Sequence, residues 1–167
     1  RRRAAIILSV VVVMFLVVLQ LTRTDLVTPG VDLGPNTTIL AVAMLIALVI
    51  GCLIVDRMPS NPVGWILVLL GLLGLVSELV GEYAIYALFR EPGSLPLGPE
   101  AAWLYSWLWI GIVGLIPPLL LYFPNGALPS RRWKVVLWAD AGFATLFFVD
   151  ALFLWSERGP VFLDVAE

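Results

Sequence analysis

The chain has 167 residues, of which 61% are hydrophobic and only 13% are charged. Soluble domains carry roughly 25% charged residues, so this composition excludes an ordinary soluble domain and indicates an integral membrane protein embedded in a lipid bilayer. A net charge of -2 argues against a nucleic-acid partner, because binding of phosphates requires a basic face.

Histidine is absent and Cys52 is the single cysteine, which limits the chemistry of the chain. These residues therefore cannot form an intrachain disulfide, a thiolate metal cluster, a His-ligated metal site or a phosphoaccepting histidine. The sequence also has no phosphate-binding glycine loop, nucleophile elbow or zinc-helix motif. We expect no catalytic residue, no metal and no cofactor in residues 1–167.

Five apolar runs predict five transmembrane helices in a single all-α domain. The first run follows Arg1, Arg2 and Arg3 and would rise about 27 Å as a helix, enough to cross a hydrocarbon core. A cleaved signal peptide is the alternative for this run, but no small-residue cleavage site follows it. The predicted spans are about 4–21, 38–55, 63–89, 101–123 and 133–155.

Connectors rich in proline and glycine separate the runs. Residues 56–62 predict a tight reversal, and residues 90–100, with three prolines and two glycines, cannot continue a helix. Pro117 and Pro118 predict a kink in the fourth span, because neither residue can donate a backbone hydrogen bond. Five glycines predict close packing of the third and fourth spans. They are Gly71, Gly74, Gly81, Gly111 and Gly114.

The distribution of Lys and Arg predicts a cytoplasmic N-terminus and an extracytoplasmic Glu167, since basic residues are enriched on the cytoplasmic side. The loop residues Arg131, Arg132 and Lys134 determine this topology. On this count seven basic residues lie inside, namely Arg1, Arg2, Arg3, Arg57, Arg131, Arg132 and Lys134. Three lie outside, namely Arg23, Arg90 and Arg158. Because the chain starts without Met and ends outside the cell, we expect a fragment of a longer chain.

Four acidic residues fall inside the apolar runs: Glu78, Glu82, Asp140 and Asp150. Each would cost about 2.5 to 3.5 kcal/mol at the bilayer centre, so we expect all four to face the interior of the bundle. Glu78 and Glu82 are four residues apart and share a helix face. Because two close carboxylates resist simultaneous ionisation, we expect at least one of this pair to be protonated at neutral pH.

The acidic pair has two interpretations. It could form a proton- or ligand-sensing pocket, or the carboxyl groups could bond neighbouring groups and merely fix the packing of the helices. For Asp140, nearer the basic loop, a structural role is favoured, and Asp150 is intermediate. The candidate sensing residues are Glu78, Glu82, Tyr83, Tyr86, Tyr105 and Trp107.

Short motifs with interfacial character occur in order between Arg57 and Trp138. They are NPVGW at 61–65, YAIYAL at 83–88, PGSLP at 92–96, AAW at 101–103 with Trp107 and Trp109, and LYFPNGALPSRRW at 121–133. This series resembles the multi-span N-terminal membrane sensor region of bacterial two-component histidine kinases and related signalling proteins. In that family the last motif commonly has Asp where Asn125 stands and Arg where Ala127 stands.

The resemblance implies a transmembrane input module in the cytoplasmic membrane of a bacterium, homodimeric if it is part of a kinase, whose catalytic part lies beyond Glu167. No phosphoaccepting histidine or ATP-binding motif is carried over, because no position here matches one. The alternative is a non-catalytic accessory subunit that packs against other membrane chains through its glycine and aromatic faces. A small ion or proton transporter is less favoured, because the five spans show no symmetry-related broken helices.

Overall fold

A computed structural model describes the backbone of residues 34–158 and the side chains of residues 39–151. Every regular element in these residues is helical, so the all-α prediction is confirmed for the described part of the chain. The predicted first span, residues 4–21, lies outside the described residues.

Five α-helices, labelled in chain order, make up the described region. They are α1 (Gly34–Arg57), α2 (Pro62–Ile85), α3 (Gly98–Gly114), α4 (Ile116–Tyr122) and α5 (Lys134–Arg158). A π-helical turn, Tyr86–Arg90, continues α2, and a 3-10 turn, Arg131–Trp133, precedes α5. The second to fifth predicted spans each fall on these helices, with ends that differ by a few residues.

Three helical stretches of the described residues are long and apolar enough to cross a membrane. They are Ile39–Arg57, Pro62–Arg90 and Gly98–Tyr122. Helix α5 is not among them, and its described side chains include the charged residues Lys134, Asp140 and Asp150. The described region is therefore all-α with three candidate membrane-spanning helices, while the five-helix bundle and its orientation stay predictions.

The most extensive contact between described helices joins α1 and α2, and glycines allow their backbones to approach closely. A Cβ atom on Gly71 would lie 2.5 Å from the Cβ of Leu48 and 2.7 Å from the carbonyl oxygen of Met44. A Cβ atom on Gly51 would lie 2.6 Å from the backbone nitrogen of Val68. The glycines therefore set the distance between the two helices.

The partner of three glycines differs from the prediction, and one of them is Gly114, where a Cβ atom would lie 3.9 Å from Ala144 of α5. Gly71 and Gly74 contact α1, not the fourth span, since a Cβ atom on Gly74 would meet the side chain of Met44. Gly81, seven residues further along α2, does pack against α3, because a Cβ atom there would meet the ring of Tyr105. Spacing along one helix shows which glycines share a face, but it does not show which neighbour covers that face.

The reversal between α1 and α2 is as tight as its prolines predict. The side-chain oxygen of Asn61 accepts a hydrogen bond of 2.9 Å from the backbone nitrogen of Val63, which caps α2, and Pro62 occupies the first turn. The indole nitrogen of Trp65 donates a hydrogen bond of 2.9 Å to the carbonyl oxygen of Pro59. The turn is thus closed by side chains as well as by the backbone.

A kink was predicted at Pro117 and Pro118, and the helix is interrupted at Leu115, two residues before the first proline. Helix α3 ends at Gly114, and α4 begins at Ile116. At the junction the backbone nitrogen of Leu115 donates a hydrogen bond of 3.2 Å to the carbonyl oxygen of Ile112. This bond spans three residues, as in a 3-10 helix, and therefore tightens the last turn of α3. The interruption arises because proline lacks the donor that the preceding turn requires.

The loop between α4 and α5 returns to the start of α2. Gly126 has a φ of 71°, which favours glycine, and a Cβ atom there would lie 2.7 Å from the side-chain oxygen of Asn61. Residues 57–61 and 123–134 therefore lie at one end of the helices, which we call the basic end. The opposite end, formed by residues 86–98, is called the connector end.

Substitution of Gly71 by alanine is expected to reduce stability by about 1 to 3 kcal/mol, because its new methyl group would meet the backbone of α1, which cannot move aside cheaply. Gly142→Ala is the matched control. Apart from its chain neighbours and the backbone of its own helix, no described atom lies within 4 Å of a Cβ there, so this change should be neutral or stabilise by up to about 1 kcal/mol.

Unfolding of both variants in detergent micelles, followed by helical circular dichroism, measures the two changes in stability. Equal effects at Gly71 and Gly142 would show that the close approach of α1 and α2 is not needed for folding.

Candidate functional site

The acidic pair of α2 lies in the half of the helix that leads to the connector end. Glu78 and Glu82 are half-buried, one helical turn apart, and their carboxyl groups are close enough to interact electrostatically. Both carboxyl groups also act electrostatically on Tyr105 of α3. The prediction that the two acids share a face is confirmed, and Tyr105 is the residue of the neighbouring helix that meets them.

Gly81 explains how Tyr105 comes so close to the acids. A Cβ atom on Gly81 would lie 2.7 Å from Cε2 and 2.8 Å from Cδ2 of the Tyr105 ring. The ring therefore lies directly against the backbone of α2, between the turns that carry Glu78 and Glu82. Without a glycine at this position, the phenol of Tyr105 would be displaced from the two carboxyl groups.

Arg90 is a member of this cluster that the sequence analysis did not place there. Its guanidinium group acts electrostatically on Glu82, eight residues earlier in the chain. In a regular α-helix, eight residues overshoot two turns by about 80°, which turns the two side chains onto different faces. The π-helical turn of residues 86–90 adds about one residue to the second turn and so brings Arg90 back toward the face of Glu82.

Side-chain direction contributes to the same pairing. Helical side chains tilt toward the N-terminus, so the long side chain of Arg90 extends back along α2. The π-helical turn itself is recorded by a hydrogen bond of 3.1 Å from the backbone nitrogen of Glu91 to the carbonyl oxygen of Tyr86. The direction of the arginine could have been inferred from the sequence, whereas the π-helical turn could not.

Two of the predicted sensing residues, Tyr83 and Tyr86, form hydrogen bonds with the connector between α2 and α3. The hydroxyl of Tyr83 donates a hydrogen bond to the carbonyl oxygen of Pro96, and the hydroxyl of Tyr86 is hydrogen-bonded to the side chain of Glu91. The connector continues into Leu97, whose φ of 62° is unusual for a residue other than glycine. These tyrosines therefore fix the path of the chain beside the acidic cluster.

Trp107 lies apart from the acids. It stands two residues after Tyr105, which places it about 200° around α3. It lines a groove of about 370 Å³ together with Leu73 of α2 and with Ala144 and Phe148 of α5. Its indole nitrogen is buried and has no hydrogen-bond partner among the described residues. The six predicted residues thus occupy the acidic cluster, the connector and a separate groove.

The two acids of α5 have different surroundings. Asp140 is half-buried and faces α3, where it lines a cavity of about 40 Å³ with Trp109 and Val113. Asp150 is exposed, so the expectation that all four acids face the interior is wrong for this residue. Position 150 is about 80° around α5 from Asp140, away from the face that meets α3.

The topology-determining residues stand together at the basic end. Arg131 and Arg132 belong to the 3-10 turn, Lys134 begins α5, and all three are exposed, as is Arg57. The contact between Gly126 and Asn61 brings the two loops that carry them to the same end. In the described residues, no three Asp, Glu or Cys side chains are close enough to hold a metal ion.

Comparison of the chain with protein-family models, with curated proteins and with solved structures finds no match. Inference about function therefore depends on the motifs of the sequence and on the geometry of the site.

Replacement of Tyr83 by phenylalanine is expected to reduce stability by about 1 kcal/mol, because the carbonyl oxygen of Pro96 loses its donor. Tyr122→Phe is the control, since the hydroxyl of Tyr122 makes no hydrogen bond with a described residue. Thermal unfolding in detergent, monitored by circular dichroism, measures both. A loss of equal size in the control would contradict a specific role for the bond to Pro96.

Proposed function

We propose that this chain is the transmembrane input module of a bacterial signalling protein, specifically the membrane sensor region of a two-component histidine kinase. In this proposal the module lies in the cytoplasmic membrane, crosses it five times and forms a homodimer. The resemblance of residues 57–138 to such sensor regions supports the class of protein, and the acidic cluster supports a sensing role.

The observation that carries the sensing role is the meeting of Glu78, Glu82, Tyr105 and Arg90 at one seam between two helices. Ionisable groups inside a membrane protein are costly, and they occur mainly where protons, ions or ligands are handled. Protonation of a carboxyl group, or its binding to a ligand, would change its attraction to Arg90 and its contact with Tyr105. Such a change would favour one arrangement of α2 and α3 over another.

Helix α2 provides a route for that change to the other end. It extends without a break from the acidic pair back to Asn61, whose side chain lies against Gly126 in the loop before α5. A shift of α2 relative to α3 would therefore alter a contact at the basic end. In our proposal this end faces the cytoplasm, where a kinase would receive the signal.

The orientation in this proposal follows from the basic residues. Arg57, Arg131, Arg132 and Lys134 lie at the basic end, whereas the connector end has Arg90, among the residues whose side chains are described. The positive-inside rule then places the basic end in the cytoplasm.

A pair of introduced cysteines tests the orientation. In a Cys52→Ala background, which has no other thiol, Ser94→Cys at the connector end should react with a membrane-impermeant maleimide in intact cells. Ser130→Cys at the basic end should react only after the membrane is permeabilised. Both serines are exposed, so their accessibility to solvent is matched. The reverse pattern of labelling would overturn the orientation.

The sensing role is tested in the complete protein that contains residues 1–167. Because five crossings place Glu167 outside, the reading frame should continue through at least one further span into a cytoplasmic histidine kinase. The autophosphorylation of that kinase in membrane vesicles is measured across a range of pH. Glu78→Gln combined with Glu82→Gln should abolish the pH dependence, because neither amide can titrate. Glu100→Gln is the control, since Glu100 is exposed in the first turn of α3. Unchanged pH dependence in a correctly folded double variant would reject the acidic cluster as the sensor.

A specific feature of α5 favours the second candidate, an accessory subunit of a membrane complex. Val135, Trp138, Phe143 and Leu146 are each more than 60% exposed, and such a face suits a partner helix as well as lipid. A reading frame without a kinase, together with stable copurification of other membrane chains, would favour this candidate over the input module.

A further inference from the structure

At the basic end, a groove opens between the end of α4, the following loop and the first two turns of α5. Its volume is about 350 Å³, within the range of small-molecule sites. The groove is lined by Tyr122, Leu128, Lys134, Leu137, Trp138 and Ala141. None of these residues belongs to the acidic cluster at the connector end.

The α5 wall of the groove is a single stripe of the helix. Lys134, Leu137, Trp138 and Ala141 are spaced at i, i+3, i+4 and i+7, so they lie above one another on one face. The stripe extends about 10 Å along the helix axis, with the ammonium group at its loop end and apolar side chains along the rest. The groove thus has a cationic group at one end and apolar side chains along the rest. A phospholipid with an anionic headgroup has the complementary order, because its charged headgroup is followed by apolar acyl chains.

The charge around the mouth of the groove points to an anionic occupant. Arg131 and Arg132 lie three and two residues before Lys134, and residues 123–139 contain no acidic residue. Asp140 lies one position before Ala141, but it lines a different cavity on the side of α5 that faces α3. The carboxyl group that is nearest in sequence is therefore directed away from the groove.

We propose that this groove binds an anionic phospholipid, whose phosphate lies at Lys134 with Arg131 and Arg132 and whose acyl chain packs against Leu137, Trp138 and Ala141. Basic pockets between membrane helices are sites of this chemistry, because charge attracts the headgroup and apolar area holds the chain. The proposal does not depend on the signalling function. It requires only that this end of α4 and α5 lies at a membrane surface.

The test measures lipid binding by native mass spectrometry of the purified chain in detergent, with dioleoylphosphatidylglycerol as the anionic probe and dioleoylphosphatidylcholine as the zwitterionic one. The unaltered protein should retain the anionic lipid preferentially. Lys134→Gln should weaken this binding roughly fivefold, the contribution expected of one basic residue at an anionic surface, without changing the binding of the zwitterionic lipid. Arg158→Gln, at the opposite end of α5 from Lys134, removes the same charge and should have no effect.

A second pair of variants tests the apolar part of the groove. Ala141→Phe should fill the groove and weaken binding of the anionic lipid several-fold, whereas Ala139→Phe places the same side chain on an exposed position outside it and should bind normally. Circular dichroism and gel filtration establish that each variant is folded. Equal binding by these two variants would show that no acyl chain occupies the groove.

Salt titration of the unaltered protein gives a readout that requires no variant. Binding of the anionic lipid should weaken as ionic strength rises, because exposed charges are screened, while binding of the zwitterionic lipid should not. Equal retention of the two lipids, or an Arg158→Gln effect as large as that of Lys134→Gln, would overturn the proposal. The first result would mean that a neutral lipid or a protein fills the groove, and the second that only net charge matters.

Discussion

Every backbone amide in an apolar environment must find its hydrogen-bond partner within the chain, and this requirement is the constraint on which the structure depends. Helices satisfy it locally, so the apolar runs of the described region are all helical. The helix is interrupted at Leu115, just before Pro117 and Pro118, which lack backbone donors. At the start of α2 the side chain of Asn61 accepts a hydrogen bond from the backbone nitrogen of Val63, and in the connector the carbonyl oxygen of Pro96 accepts one from Tyr83.

Helix α2 connects the two chemically different ends of the described region. Its glycines bring it against α1 along much of its length, and Gly81 lets the ring of Tyr105 reach the seam that carries the acids. Carboxyl groups, tyrosines and one arginine therefore gather toward the connector end, whereas exposed basic residues and tryptophans lie at the basic end. In the proposed input module, the polar site at one end receives the signal and the basic end passes it on.

The sequence by itself determined the features that depend on residues close together in the chain. Hydrophobic runs identified four of the described helical regions. Two prolines indicated an irregularity close to the observed interruption at Leu115, and the spacing of Glu78 and Glu82 placed both acids on one face. These predictions succeeded because helical geometry is the same everywhere, so a spacing of three or four residues has one structural meaning.

Only the tertiary structure decided which helix faces each side chain. Gly71 contacts α1 where α3 was expected, and Asp150 is exposed because no described helix covers its side of α5. Trp107 is separated from Tyr105 by about half a turn of α3 and belongs to another groove. The interaction of Arg90 with Glu82 depends on a π-helical turn that no spacing rule predicts. Contacts between helices depend on their relative positions and on local departures from regular geometry, and neither is encoded in the order of residues along one helix.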